Sequence, residues 1–115
     1  MKRGEVYEAS LGSIEGSEQR GARPVVIVSR NAINEASPVV VIVPFTRYCG
    51  QRIYPSQVVL RAPEAGLDRD SVAMAEQIRA IDKGRLGQLR GALSPAGVEG
   101  LDRALLIALD LPGQT

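Results

Sequence analysis

Histidine and tryptophan are absent from the 115 residues, and cysteine occurs once, at Cys49. Without an imidazole, a histidine acid–base pair or a Ser-His-Asp triad is excluded. A zinc site would need mostly carboxylates, against that ion's usual sulfur and nitrogen ligands, so a structural or catalytic zinc is not expected, and no motif calls for a cofactor. Cys49 has no partner for an intrachain disulfide, which indicates a cytoplasmic protein. Aromatic residues make up only 3% of the chain, a thin supply for a base-stacking platform. Long hydrophobic runs are missing as well. The longest, Val39 to Phe45, falls far below the roughly 20 residues of a membrane helix and reads as a buried strand. No apolar segment follows the basic opening Met1-Lys2-Arg3, so no secretory signal and no membrane association are expected.

What is present fits one compact domain, residues 1–115, with 44% hydrophobic and 23% charged residues. Net charge is only +1, but its distribution is uneven. Between residues 20 and 61 six arginines (Arg20, Arg23, Arg30, Arg47, Arg52, Arg61) face one acid, Glu35, giving +5 locally and leaving −4 for the remainder. Such a segment can form a cationic face for phosphate, or simply scatter arginines over the surface. Arginine favours the first reading, because its planar guanidinium grips phosphate bidentately.

The first half reads as short strands: Glu5 to Ala9, Pro24 to Ser29, Val39 to Val43 and Gln57 to Arg61. A turn-rich stretch from Gly12 to Gly21 and the connection Asn31–Pro38 separate the first three. Asp70 to Ala75 and Glu76 to Ile81 form one extended region or two strands sharing a bend. Asp82 to Leu89 reads as helical, capped by Asp82, although Gly84 and Gly87 weaken a helix. In the last helix Ser94 caps and Pro95 takes the first position. Val98, Leu101, Leu105, Ala108 and Leu109 then share a face. Leu106 and Ile107 lie off that face, available to a second copy or to the end of the core. The pattern implies a mainly β protein with α (α+β), a small barrel or strongly coiled sheet closed by a C-terminal helix.

Three segments carry chemistry. The polar, glycine-bounded stretch GSEQRGARP (16–24) delivers Arg23 to the start of an apolar strand, and its bland alternative is a solvated surface loop. The PFTR stretch (44–47) brings the Thr46 hydroxyl out of a buried strand, where it binds an anionic oxygen or caps its own backbone. The EQIRAID stretch (76–82) places Glu76, Gln77 and Arg79 close together, as groove residues or as an ordinary ion pair.

In this order and spacing, the three segments together with RGEVYEASLG (3–12) resemble the MazF/PemK toxin family over nearly the whole chain. The resemblance implies an SH3-like barrel with a C-terminal helix, a homodimer, and a sequence-specific endoribonuclease that cuts single-stranded RNA. It implies 2′,3′-cyclic phosphate and 5′-hydroxyl products made without metal, and a MazE-like antitoxin whose disordered tail fills the RNA groove. Carried over residue by residue, it makes Arg23 and Thr46 catalytic and puts Glu18 and Gln19 on loop positions implicated in the site; nearness in sequence makes Glu18 the preferred base, with Glu76 behind it. It assigns Gln19, Glu76, Gln77 and Arg79 to RNA contacts; Arg20 joins them, and Arg47 and Arg52 are placed to grip flanking phosphates. Some members carry a histidine in the first loop; this chain has none there, and a mechanism needing it does not transfer. Two rivals share the architecture. A gyrase-poisoning toxin acts through a C-terminal tryptophan, which this chain lacks. A non-catalytic RNA-binding small barrel would leave RNA intact.

Overall fold

The computed structural model describes residues 1–12 and 21–113. Among these, seven strands and two α-helices follow in the order β1 (Glu5–Ser10), β2 (Ala22–Ile27), α1 (Asn31–Ala36), β3 (Val39–Arg47), β4 (Gln57–Leu60), β5 (Ser71–Met74), β6 (Arg79–Asp82), β7 (Leu86–Ala92) and α2 (Pro95–Ala108). Single 3₁₀ turns occupy Glu64–Gly66, Ala75–Gln77 and Lys83–Arg85. All strand pairs are antiparallel, in the order β4-β5-β3-β2-β1-β7, with β6 also on β3. This is the mainly β class with one C-terminal helix that the strand pattern indicates. No helix among the described residues is long and apolar enough to cross a membrane.

The unbroken apolar runs follow from a sheet covered on both faces. Along β2 and β3, alternate residues enter separate clusters. Val26, Val43 and Phe45 pack with Val6, Leu60, Leu101 and Leu105, beneath α2. Val25, Ile27, Val40 and Ile42 pack with Ala9, Leu11 and Ile81 on the other side. β3 links the halves: Val39–Ile42 pair with β6, Ile42–Pro44 with β2 and Phe45–Arg47 with β5. It therefore runs four residues beyond the expected Val43 end, passing through Pro44.

Two elements differ from the sequence reading. Asp82 to Leu89 is not a helix. Asp82 does cap a turn, accepting from the Gly84 N–H at 2.7 Å, but the turn closes at Arg85 and the chain becomes β7 on the edge of β1. Glycine is a poor helix former, and pairing with β1 satisfies the backbone groups that a glycine-weakened helix would hold less well. The 31–38 connection contains α1, which no apolar periodicity announces. It has no side-chain cap; tertiary bonds anchor it instead. Asn34 is buried, donates to the Ser29 carbonyl at 2.8 Å and accepts from the Ser29 hydroxyl.

α2 starts as its sequence indicates: Ser94 Oγ accepts from the Gly97 N–H at 3.1 Å, with Pro95 at the first position. Leu101, Ala104 and Leu105 are buried, whereas Leu109 is exposed rather than on the core face. Ser94→Ala is expected to cost about 1 kcal/mol, read as a lower urea midpoint with an unchanged slope. An unchanged midpoint would count against the cap.

Candidate functional site

The 12–21 stretch is tied at both ends, with Leu11 N–H on the Gly21 carbonyl at 2.9 Å and Gly21 N–H on the Gly12 carbonyl at 3.0 Å. Glu18, Gln19 and Arg20 lie outside the described residues. Immediately after Gly21, β2 begins, and Arg23 sits one residue beyond Ala22 at its mouth. The register Val25↔Pro44 aims the start of β2 at the end of β3. The Arg23 guanidinium accordingly donates to the Phe45 carbonyl at 3.3 Å.

Arg23, Thr46 and Arg47 line a cleft of about 440 Å³. Arg69, just before β5, and Ser71, its first residue, also line it, and Glu8, Asp68 and Arg90 complete its polar wall. Four arginines face two carboxylates across this space, so the cleft favours an anion. Thr46 and Arg23 are each partly buried, which strengthens their charge and hydrogen bonds relative to open water.

The wall carrying Asp68 and Arg69 is braced at both ends. At its C-terminal end Asp70 accepts from the Ala62 N–H at 2.9 Å and pairs with Arg61 at 3.0 Å. The Ala62 N–H first, and then Arg61, hold the Asp70 carboxyl below the usual carboxylate range. On the other side Arg90 of β7 pairs with Asp68 at 2.7 Å and Glu8 at 2.9 Å, and donates to the Gly66 carbonyl at 3.0 Å. Hydrogen bonding to Asp68, reinforced by Glu8, raises the Arg90 pKa still further. The backbones of 65–66 and 90–91 are in direct contact. A Cβ on Gly66 would stand 2.1 Å from the Arg90 carbonyl oxygen, and one on Gly91 would stand 2.7 Å from the Ala65 carbonyl carbon.

The remaining expected site residues do not line this cleft. Glu76 and Gln77 sit on the turn between β5 and β6. Glu76 accepts from Gln57 at 2.7 Å and from Ser56 at 3.4 Å. Gln77 donates to the Met74 sulfur at 3.8 Å. Arg79 reaches back to the Leu11 carbonyl at 3.0 Å, at one end of the tied stretch. Among the described residues no ion pair joins Glu76 to Arg79. Arg52 lies 5.0 Å over the Tyr54 ring on the β3–β4 connection. Glu8, Asp68, Arg69, Ser71 and Arg90 were not anticipated. The one local signal was a charged Glu8 interrupting the apolar run Val6-Tyr7-Glu8-Ala9.

A second concavity, about 530 Å³, is apolar, lined by Val41, Ile78, Leu105, Leu106, Leu109 and Leu111 among others. Leu106 is half-buried at its edge and Ile107 half-buried on α2.

Residues 2–109 match the family model described as PemK-like, MazF-like toxin of type II toxin-antitoxin system. The chain is 39% identical over 111 residues to a Staphylococcus saprophyticus protein named Endoribonuclease MazF, covering 96% of this chain and 92% of that one. It is also similar to a solved endoribonuclease in complex with its cognate antitoxin from a mycobacterial species. That match has a TM-score of 0.81 at 34% identity and covers 97% of each chain. A Deinococcus radiodurans MazF structure superposes with the same TM-score at 22% identity, over 96% of this chain and 97% of that one, a likeness of fold.

Proposed function

The chain belongs to the PemK/MazF family of type II toxin–antitoxin toxins, and from that premise we propose that it is a metal-independent endoribonuclease acting on single-stranded mRNA. The observation that carries the proposal is the meeting of Arg23 and Thr46 in one cationic cleft, with Arg47 and Arg69 beside them.

The chemistry needs no protein nucleophile. The substrate's 2′-oxygen attacks the adjacent phosphorus as it loses its proton to a base. The new O2′–P bond closes a 2′,3′-cyclic phosphate, the P–O5′ bond breaks, and the departing 5′-oxygen takes up a proton. Negative charge gathers on the non-bridging oxygens of the pentavalent phosphorane. The Arg23 guanidinium and the Thr46 hydroxyl bind those oxygens, supplying preorganised donors where charge develops. The guanidinium stays protonated and is therefore a poor proton carrier; Glu18 is the proposed base. Glu76, engaged with Gln57 and outside the cleft, is less suited to that role. Arg47 and Arg69 hold neighbouring phosphates.

An antitoxin is the proposed inhibitor, covering the same cleft. A second copy of the chain is the proposed cover for the apolar concavity at the end of α2, a patch of the kind that marks an interface. The cytoplasm, where mRNA is found, is the proposed compartment.

Incubation with diverse single-stranded RNAs in excess EDTA tests the function. Fragments with cyclic-phosphate and 5′-hydroxyl ends are expected, with DNA of the same sequence left whole because it lacks the 2′-hydroxyl. No cutting in EDTA, with cutting restored by a divalent ion, would refute metal independence.

A further inference from the structure

Three charged side chains in the cleft have no part in the cleavage chemistry: Glu8, Asp68 and Arg90. Carboxylates repel phosphate, so Glu8 and Asp68 are ill suited to the substrate's backbone. They suit a hydrogen-bond donor. Single-stranded RNA exposes such donors on the Watson–Crick edges of its unpaired bases.

The Arg90 guanidinium gives one N–H to Glu8 Oε2 at 2.9 Å, one to Asp68 Oδ2 at 2.7 Å and one to the Gly66 carbonyl at 3.0 Å. Three of its five N–H donors are thus committed, and two remain. The ion pair fixes guanidinium and carboxylate side by side. Glu8 Oε2 retains a lone pair and Oε1 retains two, so the pair offers one donor followed by two acceptors. Guanine carries the complementary order along its Watson–Crick edge: the O6 acceptor, then the N1–H and N2–H donors. Uracil presents acceptor–donor–acceptor, cytosine donor–acceptor–acceptor, and adenine donor–acceptor; none matches. Glu8 and Arg90 are 35% and 22% exposed, open enough to meet a base yet partly shielded from water, which sharpens hydrogen-bond discrimination. Asp68 is 82% exposed and holds Arg90 from the rim.

We propose that Glu8 and Arg90 form a guanine-reading subsite beside the cleavage centre, with Asp68 as the residue that positions Arg90. The proposal rests on the ribonuclease reading above and adds a base to it.

The test uses random-sequence RNA transcribed with guanosine or with inosine in its place, with cut sites mapped by sequencing. Inosine lacks only the N2 amine. The intact protein is expected to require guanine at one fixed position relative to the cut, and to cleave the inosine pool roughly 10- to 100-fold more slowly. In Glu8→Gln one carboxylate acceptor becomes a donor, and the guanosine-to-inosine ratio is expected to fall towards 1. Asp68→Asn is expected to lower the ratio less. Circular dichroism checks that each variant folds, and the unmodified protein's own ratio needs no variant. RNA cleavage with no guanine position, or with the same ratio in Glu8→Gln, would overturn the subsite and leave the ribonuclease reading standing. No cleavage of either pool by the unmodified protein would overturn both.

Discussion

Replacing Arg23 with alanine is expected to slow RNA cleavage by at least about 10²–10³-fold, the typical effect of removing one preorganised donor to a developing oxyanion. The expected loss lies in the maximal rate more than in substrate affinity, because the charge that Arg23 meets is fully formed only in the phosphorane. The fold should survive. Arg23 stands at the start of β2, outside both hydrophobic clusters, with its guanidinium on a carbonyl at the cleft. Arg23→Lys separates charge from geometry: it keeps the cation but loses the two-pronged fork, and only part of the lost rate should return. Single-turnover rates on a cleavable oligonucleotide, with thermal melts alongside, make the measurement. An Arg23→Ala protein that cuts at the normal rate would remove the central group from the scheme.

Gly66→Ala should have the largest effect on stability, a loss of about 3 kcal/mol or more. Two costs combine. Position 66 has φ +72°, which costs a residue with a Cβ about 1–2 kcal/mol, and forced overpacking adds about 1–3 kcal/mol. The obstacle is the backbone carbonyl of Arg90, 2.1 Å from the new Cβ, and a backbone cannot rotate aside as a side chain does. Gly50→Ala is the control, since Gly50 has φ +81° with nothing within 4 Å of a Cβ; only the conformational cost applies there. Equal destabilisation of the two variants in urea unfolding would show that the contact with β7 contributes nothing. Because Gly66 also accepts from Arg90, any folded Gly66→Ala protein should carry a displaced Arg90.

The sequence was most legible where one local rule determined the outcome. The runs at 25–28 and 39–45 had to be strands buried on both faces, and Ser94-Pro95 had to start a helix. It was least legible where distant groups decide. β7 forms because β1 offers a free edge, and α1 is tied to the start of the chain because the Asn31 side chain accepts from the Arg3 N–H, 28 residues away; neither contact has a local signature. The cleft divides in the same way. Arg23 and Thr46 stand in short recognisable segments at the ends of adjacent strands. Glu8 and Arg90 lie 82 residues apart, and no spacing rule joins them. Glu76, Gln77 and Arg79, close in sequence, face different neighbours because the turn Ala75–Gln77 divides them.

Thr46 also belongs to the strand with the most partners among the described residues. β3 pairs with β2, β5 and β6 and contributes to both buried clusters, so its backbone should separate from its neighbours only when the whole domain unfolds, and its amides should be among the slowest to exchange with solvent. A hydroxyl with the proposed task of binding the phosphorane, mounted on so firmly held a strand, is not idled by loosening a loop around it. If Thr46 has that task, restraint is expected from something that occupies the cleft.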